Sequence, residues 1–189
     1  ESEQLATIIK NEFLDMADNL DLEHHKTVKQ LTATSSSTPT KMTRPEGFYD
    51  IAWVMYDKRA ASGDDPDFQY VSYLPSDEFV RMVTQLNASD ATVAQQTINS
   101  ITFNCYKDRA PSWYTFLDGY DSLIFDAYDH GLETNLQTSK SMAYGIQRPT
   151  LSIANGSVPD LPQHQMSLLK NRARAMFFDL YKDGTTKEI

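Results

Sequence analysis

"RPEGFYDIAWVMYDKR", residues 44–59, is the stretch on which the fold turns. Pro45, Glu46 and Gly47 suit a turn, and behind them the period becomes two. Tyr49, Ile51, Trp53 and Met55 alternate with Asp50, Ala52, Val54 and Tyr56, which describes a strand with one strongly apolar face and one mixed face. The next stretch, "AASGDDPD" at 60–67, is a solvated loop longer than a tight hairpin needs. "FQYVSYL" at 68–74 is expected to return as the antiparallel neighbour.

Towards the N-terminus, Leu5, Ile8, Ile9, Phe13, Met16 and Leu20 recur at helical spacing and predict a helix over about 2–20. From Thr27 the period shortens to that of a strand, and "ATSSSTPTK" at 33–41 reads as a polar connector. Towards the C-terminus a second helix is expected over 76–87. Ser76 would cap it, Asp77 and Glu78 would sit in its first turn, and Phe79, Met82, Val83 and Leu86 would form its stripe. "NASDATVAQQ" at 87–96 finishes as a strand, and "SITFNCYKD" at 100–108 alternates Ile101, Phe103 and Cys105 on one face. Asp118 and Gly119 mark a turn between a strand holding Trp113, Thr115 and Phe116 and one holding Leu123, Ile124 and Phe125. In "TSKSMAYGIQRP", 138–149, Met142, Tyr144 and Ile146 share a face until Pro149 ends the strand. A closing helix over 161–181 starts from a cap at Asp160, with Pro162 in its first turn, and is stopped by Lys182, Asp183 and Gly184.

Helices set beside antiparallel strands make an α+β fold: three helices packed with an antiparallel β-sheet or a small β-sandwich. The strands fall between 27–74 and 92–148, in a single domain over 1–189. A chain of 189 residues buries a core without staples, and its single cysteine, Cys105, excludes an intrachain disulfide. The net charge of -9, from 26 acids against 17 Lys plus Arg, disfavours non-specific binding to nucleic-acid phosphates. No apolar run approaches the roughly 18 residues of a membrane span, and no secretory leader pattern opens the chain. The first residue is Glu rather than Met, so both ends are treated as open. Ten Tyr, nine Phe and two Trp fit a Tyr-rich antiparallel sheet, and rings with one wet end also favour subunit contacts.

Catalytic patterns are weak throughout. The adjacent His24 and His25 face different ways and read as a wet helix end, with His130 and His164 far along the chain, so no metal site is expected. Asp118, Asp121, Asp126 and Asp129 lack the calcium-loop pattern and have apolar "LIF" in their midst, so a structural or solvated role is preferred over paired glycosidase carboxylates. Cys105 reads as a small core residue, and no Ser stands in a nucleophile elbow. N-x-[ST] strings at Asn87 and Asn155 carry no meaning without a secretory route. In the closing helix Met166, Leu169, Ala173, Met176 or Phe177, and Leu180 mark the apolar stripe, while Lys170 and Arg174 align one turn apart and Arg172 lies about 200° from Arg174. That is a thin footprint for a nucleic-acid reader. Solvated charge, or contact with acids of a neighbouring subunit, explains it better.

Five stretches, in one order, carry a resemblance: "PEGFYDIAWVMYD" (45–57), "YLPSDEF" (73–79), "KDRAPSWYTFLDGYDSLIFDAYD" (107–129), "LQTSKSMAYG" (136–145) and "PDLPQHQMSLLKNRARAMFF" (159–178). Together they resemble the head-to-tail adaptor proteins of short-tailed bacteriophages (podoviruses), also called tail tubular or connector proteins. The resemblance implies a non-enzymatic virion protein of the tail or neck, assembled in the host cytoplasm without cofactors. It implies a homo-oligomeric ring, usually of twelve copies, between the portal protein and the tail nozzle protein, with a tail fibre as a further neighbour. Double-stranded DNA would pass through such a ring without specific binding. Trp53, Tyr56, Trp113, Phe116, Phe125 and Tyr144 are then the packing and interface candidates, and Lys170, Arg172 and Arg174 the subunit-contact candidates. Asp64, Asp65, Asp118, Asp121, Asp126 and Asp129 are candidate channel acids, because an acid-lined bore repels passing phosphates. Members of that family often carry a longer polar C-terminal extension for portal docking, whereas this chain stops at "KDGTTKEI". The alternatives are another phage neck, head-completion or tail-tube protein, a cell-wall-degrading tail enzyme using acids of the 118–129 region, and a free-standing nucleic-acid-binding protein.

Overall fold

The computed structural model describes residues 2–19, 25–59, 61, 63–131, 136–137, 140–147, 151–152, 157–159 and 161–185. In chain order the elements are α1 (Ser2–Asn19), β1 (Lys26–Ala33), β2 (Lys41–Thr43), β3 (Phe48–Asp57), β4 (Phe68–Tyr73), α2 (Ser76–Thr84), β5 (Val93–Ile98), β6 (Ile101–Tyr106), β7 (Trp113–Phe116), β8 (Ser122–Phe125), β9 (Ser141–Gln147) and α3 (Gln163–Thr185). Contacts divide them into a β unit, Lys26–Gln147, and a helical unit made of Glu1–His25 with Arg148–Ile189.

The β unit is a closed barrel in the order β1-β2-β8-β7-β4-β3-β9, with β5 and β6 as a separate two-stranded sheet. Every pairing in the barrel is antiparallel except that of β4 with β7, a parallel seam through Ser72↔Trp113 and Tyr73↔Tyr114. The protein is therefore mainly β, and closure overturns the expected α+β arrangement of helices on an open sheet or small sandwich. Period-two alternation says which side chains share a face. It reads the same in an open sheet and in a barrel, whereas closure depends on β1 pairing with β9 from the far end of the unit.

Alternate residues fill the interior. Leu31, Met42, Phe48, Val54, Tyr56, Val71, Tyr114, Leu123, Phe125 and Ala143 form one buried cluster, each large side chain contributing about 1.5–3 kcal/mol of burial. In β3 the mixed face does this work. Register shifts between Phe48/Asp50 and Ile51/Trp53 bulge the strand, Val54 and Tyr56 enter the core, and Trp53 and Met55 lie on the opposite face.

Helix α2 and the β5–β6 hairpin cover the outside of β7 and β8, where Phe79, Val83, Ile98 and Phe103 bury Ile124. Pro75, not Ser76, stands at the N-cap of α2, with no side-chain cap, and the helix stops at Thr84. A tighter turn closes it, through Gln85 N to Met82 O and Leu86 N to Val83 O, and the Asn104 amide holds the Leu86 carbonyl.

In the helical unit Phe13 and Met16 of α1 pack on Leu169 of α3. α3 runs through Lys182, Asp183 and Gly184 to Thr185, past the expected stop, since one glycine costs a helix only about 1 kcal/mol. The expected cap Asp160 and residue His24 lie outside the described residues. His25 is buried, which corrects its reading as a wet helix end. Among the described residues no helix is long and apolar enough to cross a membrane.

Candidate functional site

The outer wall of the barrel over β1, β9, β3 and β4 carries an ordered set of rings and thioethers. Register places Val28 opposite Tyr144 and Tyr144 opposite Trp53, while the next row runs Gln30, Met142, Met55, Tyr70. Trp53 stacks on Tyr144 with centroids 5.2 Å apart and meets Tyr70 edge-on at 6.1 Å. Tyr70 is 64% exposed and Val28 50%. Strands hydrogen-bonded on both sides hold β9 and β3, so these rings form a rigid surface that loses little entropy on contact.

A second ring cluster gathers beside the parallel seam. Tyr114 lies 5.6 Å from Tyr73 and 5.8 Å from Phe116, and Phe116 lies 4.6 Å from Tyr120. Tyr120 follows Gly119 in the left-handed region, at φ 77° and 69° respectively, which turns its ring back over Phe116. Trp113 stands partly exposed at the start of β7.

The other two ring candidates, Tyr56 and Phe125, are core residues, edge-on at 6.4 Å. The Tyr56 hydroxyl donates to Gln137 Oε1 at 2.5 Å and accepts from the Asp129 amide at 3.0 Å. Lys140, only 1% exposed, donates to the Asp57 carbonyl at 3.3 Å and to Asp129 Oδ2 at 3.4 Å. This network fastens the chain between β8 and β9 to the end of β3. Tyr56, Gln137 and Lys140 are buried and their hydrogen bonds join backbone and side chains of the barrel end, an arrangement that serves packing.

The six candidate channel acids separate into two groups. Asp64, Asp65 and Asp121 are exposed. Asp118 is occupied: Ser122 donates to it through its hydroxyl at 2.5 Å and its amide at 3.1 Å, and Lys41 Nζ is 2.9 Å away. Burial pushes the Asp118 carboxyl up, but the Ser122 and Lys41 contacts outweigh it and hold the group below its ordinary value. Asp129 accepts from the Gly131 amide and Lys140. Asp126, 8% exposed, accepts from the amides of Ser112 and Trp113 at 3.0 and 2.9 Å, so it faces the protein and not a passage.

Burial raises the Asp126 carboxyl above its ordinary value despite those amides. A raised acid binds its proton more tightly when folded, so its contribution to stability is present below the unfolded pKa, about 3.9, and is lost as pH rises through the folded one. For Asp118 the sign reverses: stability is present above about 3.9 and is lost as pH falls through its lowered pKa. Thermal melts should therefore show Asp126→Asn steepening, and Asp118→Asn flattening, the rise of stability with pH across the acid range. Asp126→Ala should cost about 2–3 kcal/mol by leaving two amides without an acceptor, while Asp126→Asn, which keeps Oδ1, should cost less.

The cations of α3 also divide. Arg172 pairs with acids of its own chain, Nε 3.0 Å from Glu12 Oε2 and Nη2 on Asp15. Lys170 and Arg174 lie on another side of the helix and line a cavity of about 760 Å³ together with Leu5 and Ile9 of α1. The spacing of Arg172 and Arg174 already separates their faces. What the sequence left out was the pairing of α3 with α1, which is a long-range fact.

Cys105 is buried, and burial lifts its thiol to about 12, so it is a protonated core residue that accepts from Gln96 Nε2 at 3.1 Å. Among the described residues no three His, Cys, Asp or Glu side chains are grouped to hold a metal ion. Sequence reasoning passed over Tyr70, Tyr73 and Val28, whose exposure follows from register alone. It also left Phe178, 68% exposed, unassigned. No protein-family model matches the sequence, and no curated protein does.

Proposed function

We propose that the chain is a structural subunit of a phage head-to-tail adaptor: a ring between portal and tail nozzle through which the genome passes. The observation that carries this reading is the outer wall of the barrel, where Val28, Tyr144, Trp53, Met55 and Tyr70 form an apolar surface that no other element of the β unit covers among the described residues. Rigid aromatic surfaces of this kind serve contact between subunits. The five ordered stretches that resemble adaptor proteins, and the net charge of -9, support the same reading. Asp64, Asp65 and Asp121 are the exposed acids able to line a bore, and a basic bore in the assembled ring would count against that assignment.

Electron microscopy of intact particles tests the proposal by showing the ring and its neighbours together. The matching variant is Val28→Glu with Tyr70→Glu, which alters exposed positions only. Its melting temperature should stay within about 2 °C of wild type, while the yield of tailed, infectious particles should fall at least about tenfold, since buried carboxylates without partners oppose assembly. Normal particles built from this variant, or a chain found only free in the cell and absent from particles, would sink the reading.

A further inference from the structure

We propose that the groove between α1 and α3 is the docking site for an amphipathic helix of another polypeptide, one whose apolar stripe is flanked by carboxylates one turn apart. Among the described residues of the helical unit, Phe13, Met16 and Leu169 form the buried cluster, with Leu14, Leu151 and Leu161 packed against it. Beside that cluster lies a cavity of about 760 Å³, lined by Leu5, Ile9, Leu151, Met166 and Phe177 together with Lys170 and Arg174. Two helices bury one stripe each, and an apolar groove of this form between them is what a third helix fills.

Charge names the occupant. The chain carries nine more acids than Lys plus Arg, yet no Asp or Glu is among the described residues lining this groove. Lys170 and Arg174 are exposed, and neither has an ion-pair partner among the described residues, whereas Arg172 on the other side of α3 is held by Glu12 and Asp15. Cations at i and i+4 rise about 6 Å along the helix axis, and carboxylates at i and i+4 of a docked helix rise by the same amount. A nucleic acid would meet the acids of the remaining surface after two contacts. A fatty acid offers one carboxylate to two cations.

This inference does not rest on the adaptor reading, because ring formation is assigned there to the barrel wall and the test here is binding by the purified full chain. The probe is a fluorescent synthetic peptide of 18 residues with leucines at i, i+4, i+7 and i+11 and glutamates one turn apart along both flanks, titrated by anisotropy at low salt. Saturable binding is expected, on the order of tenfold weaker for the Glu→Gln peptide and for Lys170→Glu with Arg174→Glu. A Glu→Lys peptide should prefer that double variant over wild type. If circular dichroism shows the double variant unfolded, Lys170→Gln with Arg174→Gln replaces it. Equal binding of a scrambled peptide, indifference to both side chains, or no peptide binding overturns the proposal. So does saturation by dodecanoate without peptide binding, which gives the groove to an acyl anion. Self-association lost in the double variant, again without peptide binding, gives it to a second copy and overturns the proposal too.

Discussion

Gly145→Val is expected to leave the β unit unfolded under conditions where the wild type folds. Gly145 lies in β9, which pairs with β1 on one side and β3 on the other, opposite the stretch of β3 where the register shifts. A Cβ built there would stand 2.2 Å from the Asp50 carbonyl oxygen and 2.8 Å from Cδ2 of Phe48. The first neighbour is backbone, fixed by the ladder on both sides of the bulge, and the second is a core ring, so neither yields cheaply. Even Gly145→Ala should cost about 3 kcal/mol or more, at the upper end of overpacking penalties. Urea denaturation followed by circular dichroism measures it; an alanine variant with the wild-type midpoint would show that β3 relaxes freely at its bulges.

Tyr56→Ala should be nearly as damaging, at about 4–5 kcal/mol. It removes a fully buried ring that meets Phe125, together with the hydroxyl that joins Gln137 to the Asp129 amide. Tyr56→Phe keeps the ring and loses the hydroxyl, so about 1–2 kcal/mol is expected. The gap between the two variants separates the cavity from the hydrogen bonds. If Tyr56→Phe proves as harmful as Tyr56→Ala, the polar network outranks the packing. If it is neutral, the network contributes nothing to holding the barrel end.

The parts of the fold visible in the sequence are those encoded by near neighbours. Helical spacing over 2–20 marks the residues that α1 occupies, and the alternation of Met142, Tyr144 and Ile146 marks one face of β9. Alternation could not say which face is the core: in β3 Trp53 and Met55 of the face richer in apolar residues point away from it, because Tyr56 and Val54 have the interior partners. β2 stayed hidden inside and beyond a polar connector. It has three residues and a single buried one, Met42, too little for any periodicity to register. Closure itself is written only in the complementarity of β1 with β9, and no local window contains both.

The candidate site divides the same way. Trp53 and Tyr144 are individually recognisable as rings on strands, while their stack, and the addition of Tyr70 and Val28 to the same surface, come from register across four strands. Asp126 reads as one of four similar acids, and only the fold shows that its oxygen belongs to two backbone amides.

The chain enters the barrel at Lys26 and leaves it at Gln147, on adjacent strands whose ladder begins with Lys26 opposite Ile146. Tension applied through these two connections loads the hydrogen bonds of β1 and β9 singly, from the end, in the manner of a zipper. A pull that parts those two strands would open the barrel along the ladder in which the beginning and the end of the β unit pair.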